Sequence, residues 1–305
     1  MNSDGDGCGS ESALAVLLAQ RGFRVRTVNP TPWPSTYDFL RHDDFEEATA
    51  RGTAALRDID AFVVLDTNDI RRLGVLGDAV RGLQVPLAVI DHHVPGDEPL
   101  PGVTFADVSA CATGELVFDL AHTLGATITP AMATALYTAI MTDTGGFRHS
   151  NTSPRAHQIA AALLPFGVQP ETVYRHIYAQ VTPERLQLLR EALATLQFDA
   201  VTGLSWMAVT HEMLHRAGAS PDDLEGLVDH PRSIKGTRMA VLFRDLGHGK
   251  VKVSFRSAGP VDVQQLARRF GGGGHVKAAG ALLDGTLAEL EPVIVSAAKE
   301  HLARS

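Results

Sequence analysis

Leu87-Ala88-Val89-Ile90-Asp91-His92-His93 is the stretch on which the fold turns. Four apolar residues read as a short buried strand of a parallel sheet. The chain then changes abruptly to one carboxylate and two imidazoles. In open α/β sheets, ligands collect beyond the carboxyl ends of the strands, and an acid with two histidines at such an edge suits a metal ion. The pattern recurs. Ala61-Phe62-Val63-Val64-Leu65 is a second strand-like run and ends in Asp66. Ala139-Ile140-Met141-Thr142 closes a helical segment and runs into Asp143, then Thr144-Gly145-Gly146-Phe147. Asp4-Gly5-Asp6-Gly7 precedes an apolar helix at the chain start. Four acidic or acid–histidine segments beside buried elements point to one metal centre.

Around these segments, strands alternate with helices, the pattern of a doubly wound α/β domain. Phe23 to Val28 alternates like a strand, a polar helix is expected over Asp43 to Leu56, and a crossover helix over Leu73 to Val80. Thr113 to Leu164 reads as mainly helical, with Pro130 and Pro154 at helix starts. The opening glycines read as a loop, with Ser10 available as the N-cap of the first helix. An EF-hand calcium loop fails there, because Cys8 stands where an oxygen ligand belongs and no bidentate Glu follows. A dinucleotide fingerprint fails on glycine spacing.

The 305 residues allow two domains. An apolar fraction of 45% and a charged fraction of 20% are those of a globular protein, and no apolar run is long enough to cross a bilayer. No signal peptide is visible, and with only Cys8 and Cys111 no disulfide framework is indicated, so a cytoplasmic location is expected. A net charge of −8 argues against long duplex nucleic acid as a partner. Charge is unevenly placed, however. Between Arg232 and Lys277 stand ten Lys and Arg residues against only Asp245 and Asp262, which turns this region toward something anionic.

Thr182 to Phe198 reads as a long connector helix. Beyond it, Thr237 to Phe243 and Lys250 to Phe255 form an expected hairpin with Gly247-His248-Gly249 in the turn. Val261 to Phe270 reads as a helix, followed by a Gly271-Gly272-Gly273-Gly274-His275 loop. That loop lacks the Lys-Ser/Thr of a P-loop, but its backbone N–H groups could cradle phosphate oxygens. His211 and His215 lie four apart on a helix without a third zinc ligand, Trp33 and Trp206 read as packing residues, and Cys8 is a poor nucleophile.

Asp91-His92-His93 resembles the motif for which the DHH phosphoesterase family is named. Gly272-Gly273-Gly274-His275 is similar to the glycine-rich motif of the DHH-associated domain, and Val253-Ser254-Phe255-Arg256-Ser257 to the strand before it. The motifs come in the family's order along the whole chain, and the subgroup they resemble most is the bacterial nanoRNases. The resemblance implies a doubly wound, mainly parallel DHH domain over residues 1–181, a connector helix over 182–199, and a smaller α/β domain with a mixed sheet over 200–305. It implies two divalent ions, manganese by preference. Asp4 and a His upstream of it would serve the first, Asp6, His92 and Asp143 the second, and Asp66 would bridge them.

His93 would stand beside the scissile phosphate and Asp91 would orient the histidines. Arg148, Arg256, Gly272, Gly273, Gly274 and His275 would bind substrate. The implied activity is degradation of short RNA to mononucleotides, with removal of the 3′-phosphate of pAp. Partners are then short RNA oligonucleotides, dinucleotides and pAp, with no membrane, and a homodimer stays open. Linear or cyclic dinucleotides are a variant substrate class, and a non-catalytic nucleotide-binding regulator is the alternative of another kind. The family's first motif begins with a His and a strand ahead of Asp4, so the natural chain is expected to start upstream of Met1.

Overall fold

A computed structural model describes residues 4–42, 45–224 and 226–304. The chain divides into two compact units, Met1–Gln180 and Val181–Ser305. In the first, α1 (Gly5–Ala19) leads to β1 (Arg26–Thr27), β2 (Glu46–Glu47), β3 (Phe62–Leu65), α2 (Gly77–Arg81), β4 (Leu87–Asp91) and β5 (Val103–Ala106). Helices α3 (Thr113–Thr123), α4 (Pro130–Asp143), α5 (Pro154–Leu163) and α6 (Pro170–Tyr178) complete it. Strands β3, β4 and β5 form a parallel sheet in that order, and β1 pairs with β2 in parallel. The register sets Leu65 beside Ile90 and Asp91 beside Ala106, so Asp66 and Asp91 leave the sheet together at its carboxyl edge.

The glycine-rich start is helix rather than loop. Its N-cap is Asp4, not Ser10, and the Asp4 carboxylate accepts from the Asp6 and Gly7 N–H groups at 3.1 Å each. Packing against α4 explains why glycines stand in this helix despite their poor propensity. A Cβ on Gly9 would fall 2.5 Å from the Ala135 carbonyl oxygen, and one on Gly5 would fall 2.3 Å from Thr142 Cγ2. Gly9→Ala is therefore expected to cost about 1–3 kcal/mol through overpacking, read from urea unfolding. An unchanged midpoint and slope would contradict the close α1–α4 contact.

The connector helix expected over 182–199 ends at Ala194, and Gln197–Asp199 is a strand instead; three expected elements of the first unit also come out shorter. Only Arg26–Thr27 of the 23–28 strand pairs. Asp43 and Asp44, where the polar helix was expected to begin, lie outside the described residues. The rest of that segment is β2 and a 3₁₀ stretch, Thr49–Leu56, broken at Gly52 with φ 52°. Gly74, also at φ 52°, likewise breaks the 3₁₀ stretch Ile70–Leu76 that precedes the short α2, so the crossover is not one helix. The left-handed glycines interrupt helices that the apolar spacing alone would continue. Pro130 and Pro154 open α4 and α5 as expected, with Thr129 and Ser153 as caps.

The second unit holds α7 (Pro183–Ala194), β6 (Gln197–Asp199), β7 (Leu204–Val209), α8 (His211–Ala217), α9 (Asp229–Arg232), β8 (Met239–Asp245), β9 (Lys250–Ser257), α10 (Val263–Arg268), β10 (Gly273–His275), β11 (Ala278–Asp284) and α11 (Leu287–Ala303). Its six strands run in the order β10-β11-β9-β8-β7-β6, antiparallel except for β7 beside β8. One face buries Val241, Phe243, Val253 and Phe255 with residues of α10 and α11, among them Leu266 and Ile294. The other packs Met207, Val209 and Leu242 with Leu188 and Ala192 of α7.

The GGGH segment is an edge strand, not an open loop. A Cβ on Gly272 would fall 2.1 Å from the Gly280 carbonyl oxygen, and one on Gly274, which sits at φ 136°, would fall 2.6 Å from Ala278 O, so this close hairpin needs glycine at both places. Trp33 is buried in the first core, and the Trp206 indole N–H donates to Glu291 at 2.9 Å. Among the described residues, no helix is long and apolar enough to cross a membrane.

Candidate active site

The β4 edge delivers three side chains with separate tasks. Asp91 is fully buried, and its Oδ1 holds His93 Nδ1 at 2.7 Å. Asn68 Nδ2 donates to the other oxygen at 2.5 Å. Burial would raise the Asp91 pKa, but its bonds to His93 and Asn68 outweigh it and hold the group below the usual carboxylate range. In return, the carboxylate raises the His93 pKa above the ordinary imidazole value. His92 Nδ1 lies 3.1 Å from the Ala110 carbonyl, which can only accept, so that nitrogen carries the proton. Its Nε2 faces Asp6, Asp143 and Asp66 at 3.6, 3.7 and 3.8 Å.

Each carboxylate is built in from a different element. Asp6, on the first turn of α1, is buried and accepts from Thr113 N at 2.6 Å, Gly114 N at 2.9 Å and Ser10 Oγ at 3.0 Å. It thus occupies the N-terminus of α3, whose own cap residue, Ala112, has no side-chain acceptor. Asp66 follows β3 with φ 61°, a left-handed backbone that Asp tolerates better than most residues. Its Oδ1 accepts from Thr113 Oγ1 at 2.9 Å. Asp143, the last residue of α4, accepts from Asn151 Nδ2 at 3.0 Å.

Two sets of potential ligand atoms result, each within 4.8 Å: Asp6, His92 and Asp143, and Asp66, His92 and His93. The metal-free cluster is electrostatically poor. Burial first, then the neighbouring Asp143 charge, pushes Asp6 up to about 6. Burial and the charges of Asp6 and Asp4 raise Asp66 strongly, and burial raises Asp143. His92 Nε2 is buried with no hydrogen-bond partner. Carboxylate oxygens and an orphaned imidazole nitrogen fit a divalent cation of the oxygen- and nitrogen-binding kind. Asp4 stands apart from both sets, its carboxylate capping α1, and contributes charge to Asp66 and Asp143.

Arg148, on the loop after α4, donates from Nε to Gly145 O at 2.7 Å and lines a cavity of about 500 Å³ with Phe147, Tyr174 and Tyr178. In the second unit, His275 pairs with Ala278, and Ala278 with Arg256, so His275 and Arg256 share one face of the sheet two strands apart. Gly272 and Gly274 shape the hairpin that places His275, while a Cβ on Gly273 would meet open space. His211 and His215 join no group of three or more potential ligands among the described residues. Cys8 and Cys111 are buried, and burial pushes both thiols well up, away from nucleophilic use.

Sequence reasoning missed Asn68, Thr113 and Asn151, which hold the site's acids. Asn68 is two residues after Asp66, a visible clue. Nothing in the local sequence ties Thr113 to Asp6 or Asn151 to Asp143.

A parallel sheet with this carboxylate–imidazole edge defines a metal-site hydrolase class, and comparison with known proteins narrows it. The "DHH family, N-terminal domain" model matches residues 1–140 and the "DHHA1 domain" model residues 206–304. A bifunctional oligoribonuclease and PAP phosphatase of Thermus thermophilus is 34% identical, over 100% of this chain and 89% of the relative. Its Bacillus subtilis namesake is 26% identical over 98% and 92%. The crystal structure of an exopolyphosphatase-related protein from Bacteroides fragilis superposes with a TM-score of 0.89 at 27% identity, covering 99% of this chain and 89% of that one. The chain belongs to the DHH family and is a phosphoesterase.

Proposed function

We propose that this phosphoesterase uses a pair of divalent ions, manganese by preference, to degrade short RNA oligonucleotides to mononucleotides and to remove the 3′-phosphate of pAp in the cytoplasm. The carrying observation is His92 Nε2, buried without a hydrogen-bond partner and facing three carboxylates. The oligoribonuclease and PAP phosphatase names of the Thermus and Bacillus relatives support the substrate class. Asp6, His92 and Asp143 would hold one ion, and Asp66 would share it with a second to which Asp4 contributes. When bound, such a pair supplies an activated water and stabilises the attacking and leaving oxygens.

The chain's own residues supply orientation and protons. Asp91 keeps His93 Nδ1 hydrogen-bonded and favours the charged ring, leaving Nε2–H to donate to a phosphate oxygen. Thr113, Gly114 and Asn151 keep the acids in place, the kind of support that conserves ligand geometry. In the second unit, Arg256 and His275, with Gly272, Gly273 and Gly274 shaping the edge strand, would bind a phosphate of the substrate. Arg148 adds a cation beside the α4 loop.

The test is manganese-dependent release of mononucleotide from a labelled RNA dinucleotide, and of phosphate from pAp, with His92→Ala as the blank. Turnover by the parent alone, together with a manganese-induced rise in Tm absent from His92→Ala, is the expected result. No turnover of either substrate by a parent that binds manganese overturns the reading.

A further inference from the structure

The sheet of the second unit carries two like charges in a position that strand pairing does not favour. Arg244 on β8 lies directly opposite Lys252 on β9. Directly paired residues of antiparallel strands point to the same face, and like charges there repel. Nearby acids do not neutralise them: Asp245 accepts from Gly247 N at 2.8 Å, and Asp284 pairs with Lys250 at 3.0 Å. Among the described residues, neither Arg244 nor Lys252 has an ion pair, and Arg244 Nε is buried without a hydrogen-bond partner. A buried donor left empty between repelling cations is a cost that an anion would remove.

What lies between this pair and Arg256 suits a phosphodiester strand. Lys252, Ser254 and Arg256 alternate on one face of β9, while Val251, Val253 and Phe255 fill the core on the other. Gly280 of β11 pairs with Ser254 and Ala278 with Arg256, giving a low floor with cations at both ends. Leu282, beside Lys252, is 57% exposed, so this end of the face is open within its unit.

We propose that Arg244 and Lys252 form a second phosphate-binding position, used by oligonucleotides and out of reach of pAp. Lys252 and Arg256 are four residues apart on β9, about 14 Å at the rise of an antiparallel strand. That exceeds the separation of the two phosphates on a single nucleotide. This position rests on the oligoribonuclease reading, and it sets the enzyme's preference for longer over shorter substrates.

The test compares parent enzyme and the Arg244→Gln/Lys252→Gln double variant on pAp and a labelled RNA pentanucleotide across a salt series. The double variant is expected to lose roughly tenfold or more in kcat/KM on the pentanucleotide at low salt, with its salt slope shallower by about 0.7, the loss of one phosphate contact on a single strand. Hydrolysis of pAp should stay within about twofold of the parent's, and Lys252→Arg should retain pentanucleotide activity. Equal losses on both substrates, or no loss on the pentanucleotide, overturn the inference. Affinity for the labelled pentanucleotide, measured by polarisation with chelator present, decides the same point if the parent turns over neither substrate. In that case the oligoribonuclease reading fails, while the anion position stands or falls on the binding difference.

Discussion

Asp66→Asn is expected to abolish hydrolysis while making the metal-free protein more stable. Asp66 is held in a left-handed backbone, close to His92, His93 and the charges of Asp6 and Asp4, and burial with those charges raises its pKa far above its unfolded value. A carboxyl group with a raised folded pKa contributes its full stability below the ordinary carboxylate range and loses it as pH rises. The stability gap between Asp66→Asn and the parent should therefore be smallest near pH 4 and widen toward pH 8. A gain of about 1 kcal/mol would raise Tm by about 2–4 °C in a protein of this size. Asn can keep the bond from Thr113 and tolerates the same backbone, so the fold should be retained.

Activity should move the other way, by more than about 10²–10³-fold, the scale on which loss of one charge-stabilising group acts. The manganese-induced rise in Tm should shrink with it. Thermal scans of chelated and manganese-loaded protein, set beside dinucleotide turnover, check both. A variant that is no more stable than the parent at pH 8 would mean that the acids are not repelling one another. A variant that retains turnover would remove Asp66 from the centre.

His93→Ala is expected to reduce kcat by about 10²–10⁴-fold, the range for loss of a positioned proton donor, while leaving the manganese-induced Tm rise largely in place. Asp6, His92 and Asp143 do not depend on His93 for their grouping. Asp91→Asn tests the same device more gently. The Asp91 carboxylate holds His93 above its usual pKa, so activity that needs the charged ring falls as pH rises through that elevated value. Without the carboxylate, the fall should move to lower pH, toward about 6.5. A pH–rate profile of kcat that does not move in Asp91→Asn would show that His93 is not acting as the charged donor.

The sequence by itself determined the parallel sheet and the residues that leave its edge. Apolar runs such as Val63-Val64-Leu65 and Ala88-Val89-Ile90 read as strands, and each ends in an acid that lands at the carboxyl edge. Periodicity of that kind is local, so it is legible without a structure. Local spacing misled where the reason for a residue lies elsewhere in the chain. Gly5 and Gly9 read as loop because their purpose is close contact with α4, more than a hundred residues later. Gly272 and Gly274 read as a loop for the same reason, since Gly280 and Ala278 demand them.

Tertiary structure alone decided what holds the metal-type acids. The N-terminus of α3 meets Asp6 only because α1 and α3 pack side by side, and Asn151 reaches Asp143 only after the chain turns back through Gly145 and Gly146. It also decided that Arg244 faces Lys252, because strand register depends on the pairing of β8 with β9 along their whole length. Hydrogen bonds and charge pairs act over a few ångströms of space, whatever their distance along the chain, and that is the part a reading of spacing cannot supply.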